Sequence, residues 1–287
     1  MTPTVRAAIW MSGAIVSFTL MAVAGRAVSL DLDTFEIMMY RSIVGVVVVL
    51  GVASATGSLG QIKANKLGLH FLRNLSHFTG QNLWFFAITV APLAQVFALE
   101  FTSPIWAMFL AALILREKLT AVNLTAAFFG FAGVLIVSRP FGGALEIGVI
   151  AAALSAIGFA GSAIFTRLLT RTENITSILF FLTFMQFVLG VICAGYDGDI
   201  ALPSADNAPW ILLIALCGLL AHFCLTTALS LAPAAIVMPI DFTRLPVIAI
   251  VGMLFYAEAL DWYVFFGAAI IFGANYANIW HSSRSNS

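Results

Sequence analysis

Charge is what this chain has least of. Of its 287 residues only 9% are Asp, Glu, Lys or Arg, while 62% are hydrophobic; a soluble domain is about 25% charged and about 45–50% apolar. So few charges cannot cover the surface of a water-soluble fold of this length, which excludes an ordinary soluble enzyme. The formal net charge is zero, so nothing points to nucleic acid or to an acidic partner. Cysteine is scarce too. Cys193, Cys217 and Cys224 all fall inside apolar runs without metal-ligand spacing, and they read as small buried hydrophobes rather than a disulfide framework or metal site. The spans contain no His-Glu-x-x-His and no carboxylate-rich metal motif, and the chain contains no glycine-rich nucleotide loop. Those absences argue against an intramembrane enzyme, a resident cofactor or a built-in ATPase. No ring of one charge sign or filter sequence suggests a channel.

What remains is apolar sequence in long runs with short breaks. A spanning helix needs about 20 such residues to cross a core of about 30 Å. On that ruler the chain reads as spans near 8–28, 33–56, 69–90, 92–115, 120–138, 146–169, 173–195, 207–231, 233–256 and 260–280. The turns at Val90-Ala91-Pro92 and Leu231-Ala232-Pro233 are inferred from runs twice the length of one span and from proline's resistance to continuing a helix. The first span is too long for a signal-peptide core and is expected to be retained. On the side of the N-terminus lie Arg6, Lys63, Lys66, Arg116, Lys118, Arg167, Arg171 and Arg284; the other side has Arg26 and Arg139, with Asp197, Asp199 and Asp206 in its longest loop. That eight-to-two asymmetry predicts cytoplasmic N- and C-termini.

Shifting the sequence by 141 residues superposes Ala91-Pro92 on Ala232-Pro233, Phe101-Thr102 on Phe242-Thr243, Glu100 on Asp241 and Glu117 on Glu258. The same shift pairs Phe18, Ala22 and Arg26 with Phe159, Ala163 and Arg167. The expectation is an all-α polytopic membrane protein of ten transmembrane helices, built as two inverted five-helix repeats, residues 1–140 and 141–287. Five spans per repeat is an odd number, so the copies lie with opposite topology, a recurring plan in secondary transporters whose substrate site is near the midplane.

This layout, with its Ala-Pro hairpins, Glu117-Lys118-Leu119-Thr120 with Gly130 and Gly133, and Glu258-Ala259-Leu260-Asp261 with Gly267 and Gly273, resembles the drug/metabolite transporter superfamily, EamA type. The second copy departs from the pattern, with Asp261 where Thr120 stands. Within the superfamily the chain is most similar to bacterial YddG-type amino-acid exporters. The resemblance implies a multi-pass protein of the bacterial inner membrane that moves small metabolites, amino acids foremost, by alternating access. Its partners would be that small-molecule substrate and the lipid bilayer; the oligomeric state is open, and carriers of nucleobases, sugars or drugs remain alternatives.

Ionisable groups inside a bilayer are costly and mark candidate sites. Glu100 and Asp241 each lie eight residues past the proline that opens their span, about 12 Å deep from opposite sides. Two readings stay open: a substrate or proton site, or internal pairs of Asp241 with Arg244 and Glu100 with Arg41. Asn74, His77, Gln81 and Trp84 share one helix face by their spacing. His222 is the repeat mate of Gln81, followed by Thr226, so the two faces read either as opposite cavity walls or as interhelical hydrogen bonding. Phe159 is a further cavity candidate on a glycine-rich span. Glu117 and Glu258 read as structural caps at span ends, Gly13, Gly25, Gly158 and Gly161 as points of close helix approach, and Pro104, Pro239 and Pro246 as interruptions of the fourth and ninth spans.

Overall fold

The computed structural model of the protein describes residues 3–28, 31–116, 119–138, 146–169, 171–231, 240–241, 244–259 and 261–285. Expectations placed on Glu117, on the loop 139–143, on the turn at Ala232-Pro233 and on Pro239 lie outside these residues, as do the side chains of Arg167 and Thr226. The described residues are mostly helical, with no strand among them. The helices are α1 (Pro3–Val28), α2 (Thr34–Ala55), α3 (Leu67–Val90), α4 (Leu93–Glu100), α5 (Ser103–Leu115), α6 (Ala121–Ser138), α7 (Ile147–Leu169), α8 (Ile175–Ala194), α9 (Ala208–Leu231), α10 (Arg244–Tyr256) and α11 (Trp262–Ser285). Six segments among them are long and apolar enough to cross a bilayer: 5–28, 34–55, 93–114, 147–166, 175–194 and 208–225. The protein is a polytopic helical membrane protein.

Among the described residues, one span departs from its expectation. The fourth is two helices, α4 and α5, separated at Phe101-Thr102. Pro104 sits in the first turn of α5, and Pro246 is the third residue of α10. These prolines therefore begin helices rather than bend them, since a first-turn residue has no intrahelical acceptor to lose. Both α5 and α10 end on a left-handed residue, Arg116 (φ 56°) and Ala257 (φ 52°). That conformation terminates a helix at some steric cost for any residue with a Cβ.

The 141-residue spacing recurs in the helix starts: 34 and 175, 67 and 208, 103 and 244, 121 and 262. It recurs in the caps as well. Asp33 caps α2 and exchanges bonds with Glu36 in a capping box, while Asn174 caps α8 by accepting from Ser177 N. Each cap also holds a distant loop. Glu36 accepts from Ala201 N, and Ser177 Oγ accepts from Lys63 N and donates to Gln61 O. Packing follows the same logic: α1 lies mainly on α9, α3 on α7, α2 on α8, α6 on α11, and α10 on α4.

Inside a bilayer, apolar burial does not by itself drive helices together; close packing does. Gly80 of α3 and Gly158 of α7 provide it, since a Cβ on Gly158 would stand 2.6 Å from the Gly80 Cα. Gly133 and Gly267 do the same for α6 and α11, each Cβ position falling within 2.8 Å of the other's carbonyl oxygen. The α3 helix is the most polar of the long ones, yet Arg73, Asn74, His77, Gln81 and Asn82 are all buried. They face the interior of the bundle, where the candidate site lies.

Candidate functional site

Two carboxylates converge on one guanidinium where α4 meets α10. Arg244 Nη2 donates to Glu100 Oε1 (2.9 Å) and to Asp241 Oδ2 (3.1 Å). Trp84 Nε1 donates to the other oxygen of Glu100 at 2.8 Å. The guanidinium is caged by rings, with Phe18 and Phe97 each 4.9 Å and Phe101 5.1 Å from its central carbon. Arg244 Nε and Asp241 Oδ1 are buried without a hydrogen-bond partner.

From this group an aromatic chain leads across the bundle. Phe18 meets His222 edge-on at 5.9 Å, His222 meets His77 at 5.4 Å, and His77 meets Phe159 at 6.0 Å. Beyond His222, at the junction of α2, α8 and α9, a cavity of about 20 Å³ is lined by Arg41, Ser42, Thr183, Gln186, Gly218 and His222, among others. Arg41 is buried, its Nη1 has no hydrogen-bond partner, and no described carboxylate pairs with it. Arg73 is buried too and bonds only neutral groups, Thr166 Oγ1 (3.2 Å) and Asn74 Oδ1 (3.0 Å). Asn74 Nδ2 donates to His70 O (2.8 Å), and Gln186 Nε2 donates to Asn74 O (2.9 Å) and Oδ1 (3.3 Å).

A second polar group closes one end of the bundle. Glu258 accepts from Arg26 and from Leu93 N (2.9 Å), the first residue of α4. Arg26 also reaches Ala91 O (3.4 Å) and lies 4.5 Å over the ring of Tyr256. Glu258 is thus a cap, but of α4, brought from far along the chain rather than of the helix that follows it.

The expected site residues fall into three positions. His77, Phe159 and His222 meet in the aromatic chain. Glu100, Asp241, Arg244 and Trp84 form the charged group, with Trp84 packed against Phe85 and Phe97. Gln81 is buried with its Nε2 unpartnered. The pairing of Glu100 with Arg41 does not occur. Arg244 serves both carboxylates because α4 and α10 pack together, whereas Arg41 faces α8 and α9. Arg73 and Gln186 have no place in the sequence-based site. Their signal is the polar residue itself: Arg73 precedes Asn74 by one position, and Gln186 interrupts the apolar helix ILFFLTFMQFVLGVICA.

The family model of EamA-like transporters matches this chain twice, over residues 5–139 and 146–279. The chain belongs to the EamA-like transporter family. A riboflavin transporter of Brucella anthropi is 32% identical over 218 residues, 75% of this chain and 77% of that one. A riboflavin transporter of Vibrio cholerae is 24% identical, covering 97% of this chain and 94% of its own. An S-adenosylmethionine uptake transporter of Rickettsia felis is 24% identical over the same shares. One solved crystal structure shares the fold, with a TM-score of 0.67 at 17% identity over 98% of this chain and 99% of its own. Family and relatives are membrane transporters of small molecules. The relatives named here carry riboflavin and S-adenosylmethionine in their names, not amino acids, so the resemblance to amino-acid exporters holds only at the level of the superfamily.

Proposed function

We propose that this protein is a secondary transporter of neutral heteroaromatic metabolites, riboflavin first among them, in a bacterial inner membrane. Its mechanism is alternating access between two inverted repeats, residues 1–140 and 141–287, spanning the membrane ten times. The observation that carries the substrate class is the pair Arg41 and Arg73, two buried guanidiniums without a described carboxylate partner. A sulfonium cation such as S-adenosylmethionine is repelled there, because like charges interact strongly where water is excluded. A flat, neutral, carbonyl-bearing ring is not. Phe18, His77, Phe159 and His222 give that ring faces to stack on, and Gln81 Nε2 and Asp241 Oδ1 offer a donor and an acceptor to its polar chain.

Export of amino acids has one observation in its favour. The group around Arg244 holds more carboxylates than cations, and the side of Arg41 and Arg73 holds cations alone, a separation that suits a zwitterion. Uptake into proteoliposomes distinguishes the readings. Riboflavin is expected to enter in a saturable manner, with S-adenosylmethionine and the common amino acids failing to compete. Competition by an amino acid without riboflavin transport gives the site to zwitterions instead.

The eight-to-two distribution of lysine and arginine supports cytoplasmic termini. Reporters fused after Ser287 and within residues 197–206 are expected to read cytoplasm and exterior respectively. The opposite readings reverse the direction of every helix.

A further inference from the structure

Arg41 and Gln186 line one cavity, and each carries a buried atom with no hydrogen-bond partner: the donor Arg41 Nη1 and the acceptor Gln186 Oε1. We infer that this cavity receives the imide edge of a cyclic dione, the carbonyl–NH–carbonyl edge shared by flavins and pyrimidinediones. This rests on the heteroaromatic reading above and names the atoms that enforce it. An imide edge presents acceptor, donor, acceptor, so its receptor must present donors around an acceptor, and Arg41 with Gln186 supplies one of each.

The orientation of the glutamine amide is not arbitrary, although its two ends look alike. Arg73 can only donate, so the atom Asn74 turns toward it must be Oδ1, 3.0 Å away. That turns Asn74 Nδ2 to the His70 carbonyl at 2.8 Å. Gln186 then faces two oxygens of Asn74, at 2.9 and 3.3 Å, and must direct its Nε2 at them. Its Oε1 is left with nothing to accept from. Arg73 is therefore a positioning residue: through two amides, its lack of any acceptor fixes which end of Gln186 is left to accept. With about 20 Å³, room for about one water-sized group, the cavity admits the tip of a polar edge and not a ring system. The ring then lies toward His222 and His77, in the middle of the aromatic chain.

The test compares riboflavin with N3-methylriboflavin, in which the imide N–H is replaced by a methyl group while the ring is kept. Wild-type protein in proteoliposomes is expected to favour riboflavin at least about tenfold in transport efficiency, since methylation leaves a buried acceptor unsatisfied. Gln186→Met, which keeps the length of the side chain and removes the acceptor, is expected to bring the two flavins within about twofold of each other. Arg73→Gln, with an amide that can turn either way, is expected to erode the same ratio without touching substrate. Equal transport of both flavins by the wild type overturns the imide assignment and leaves riboflavin transport standing. Transport of neither flavin by well-folded wild type overturns both.

Discussion

Arg244→Met is expected to cost about 3–5 kcal/mol, the range seen when one partner of a buried charge group is removed and the other is left behind. Here two carboxylates are left, Glu100 and Asp241, each held by the same Nη2 at 2.9 and 3.1 Å. The three rings around the guanidinium lose their cation at the same time. Yield of monodisperse protein and thermal unfolding in detergent read the effect. The triple variant Arg244→Met, Glu100→Gln, Asp241→Asn removes all three charges while keeping amides of similar shape, and it should recover most of the lost stability. Trp84 Nε1 retains an acceptor there, the amide oxygen that Glu100→Gln leaves in place of the carboxylate. If Arg244→Met alone is as stable as the wild type, the group is not the electrostatic keystone its geometry describes.

Gly158→Ala is the second large effect, and it adds one carbon. That carbon would stand 2.6 Å from the Cα and 2.8 Å from the backbone nitrogen of Gly80. Backbone cannot swing aside as a side chain does, so α3 and α7 must separate. A cost of about 3 kcal/mol, the upper end for overpacking, is expected. Because His77 and Phe159 flank the same crossing, transport should fall even in the fraction that remains folded. Gly51→Ala is the matched control, since nothing lies within 4 Å of its Cβ position. It should leave the melting temperature unchanged or slightly raised, as alanine favours helix over glycine. Equal melting temperatures for the two variants would mean that the contact between Gly80 and Gly158 carries no weight.

The helices were legible in the sequence because a spanning helix needs a minimum apolar length and the breaks carry Pro, Gly or charge. The division of the fourth span was not. Hydrophobicity continues through Phe101-Thr102, and nothing in a run of apolar residues distinguishes one long helix from two short ones end to end. Pro104 hinted at it, but a proline in the first turn of a helix and a proline in a kink leave the same trace in a sequence. In the site, the stripe of Asn74, His77, Gln81 and Trp84 was legible as a shared face, since spacing fixes which side chains lie together on one helix. The partner across the gap was not, because it depends on how helices cross. Hence Glu100 finds Arg244 and not Arg41. Arg73 and Gln186 escaped for the same reason: their part in the site lies in a relay between α3 and α8, invisible to the periodicity of either.

Glu258 joins three parts of the bundle with a single carboxylate, gripping Arg26 at the end of α1 and the first amide of α4 from just past the end of α10. Any motion that parts α1 from α10 at this end must break that ion pair and slide Arg26 off Tyr256 in one event. Under the alternating access proposed above, the folded molecule's resilience and its turnover depend on the same few bonds in opposite senses. A change that tightens this knot makes a hardier protein and a slower carrier; one that loosens it does the reverse. Selection on such a molecule acts on a compromise at Glu258, not on either quantity alone.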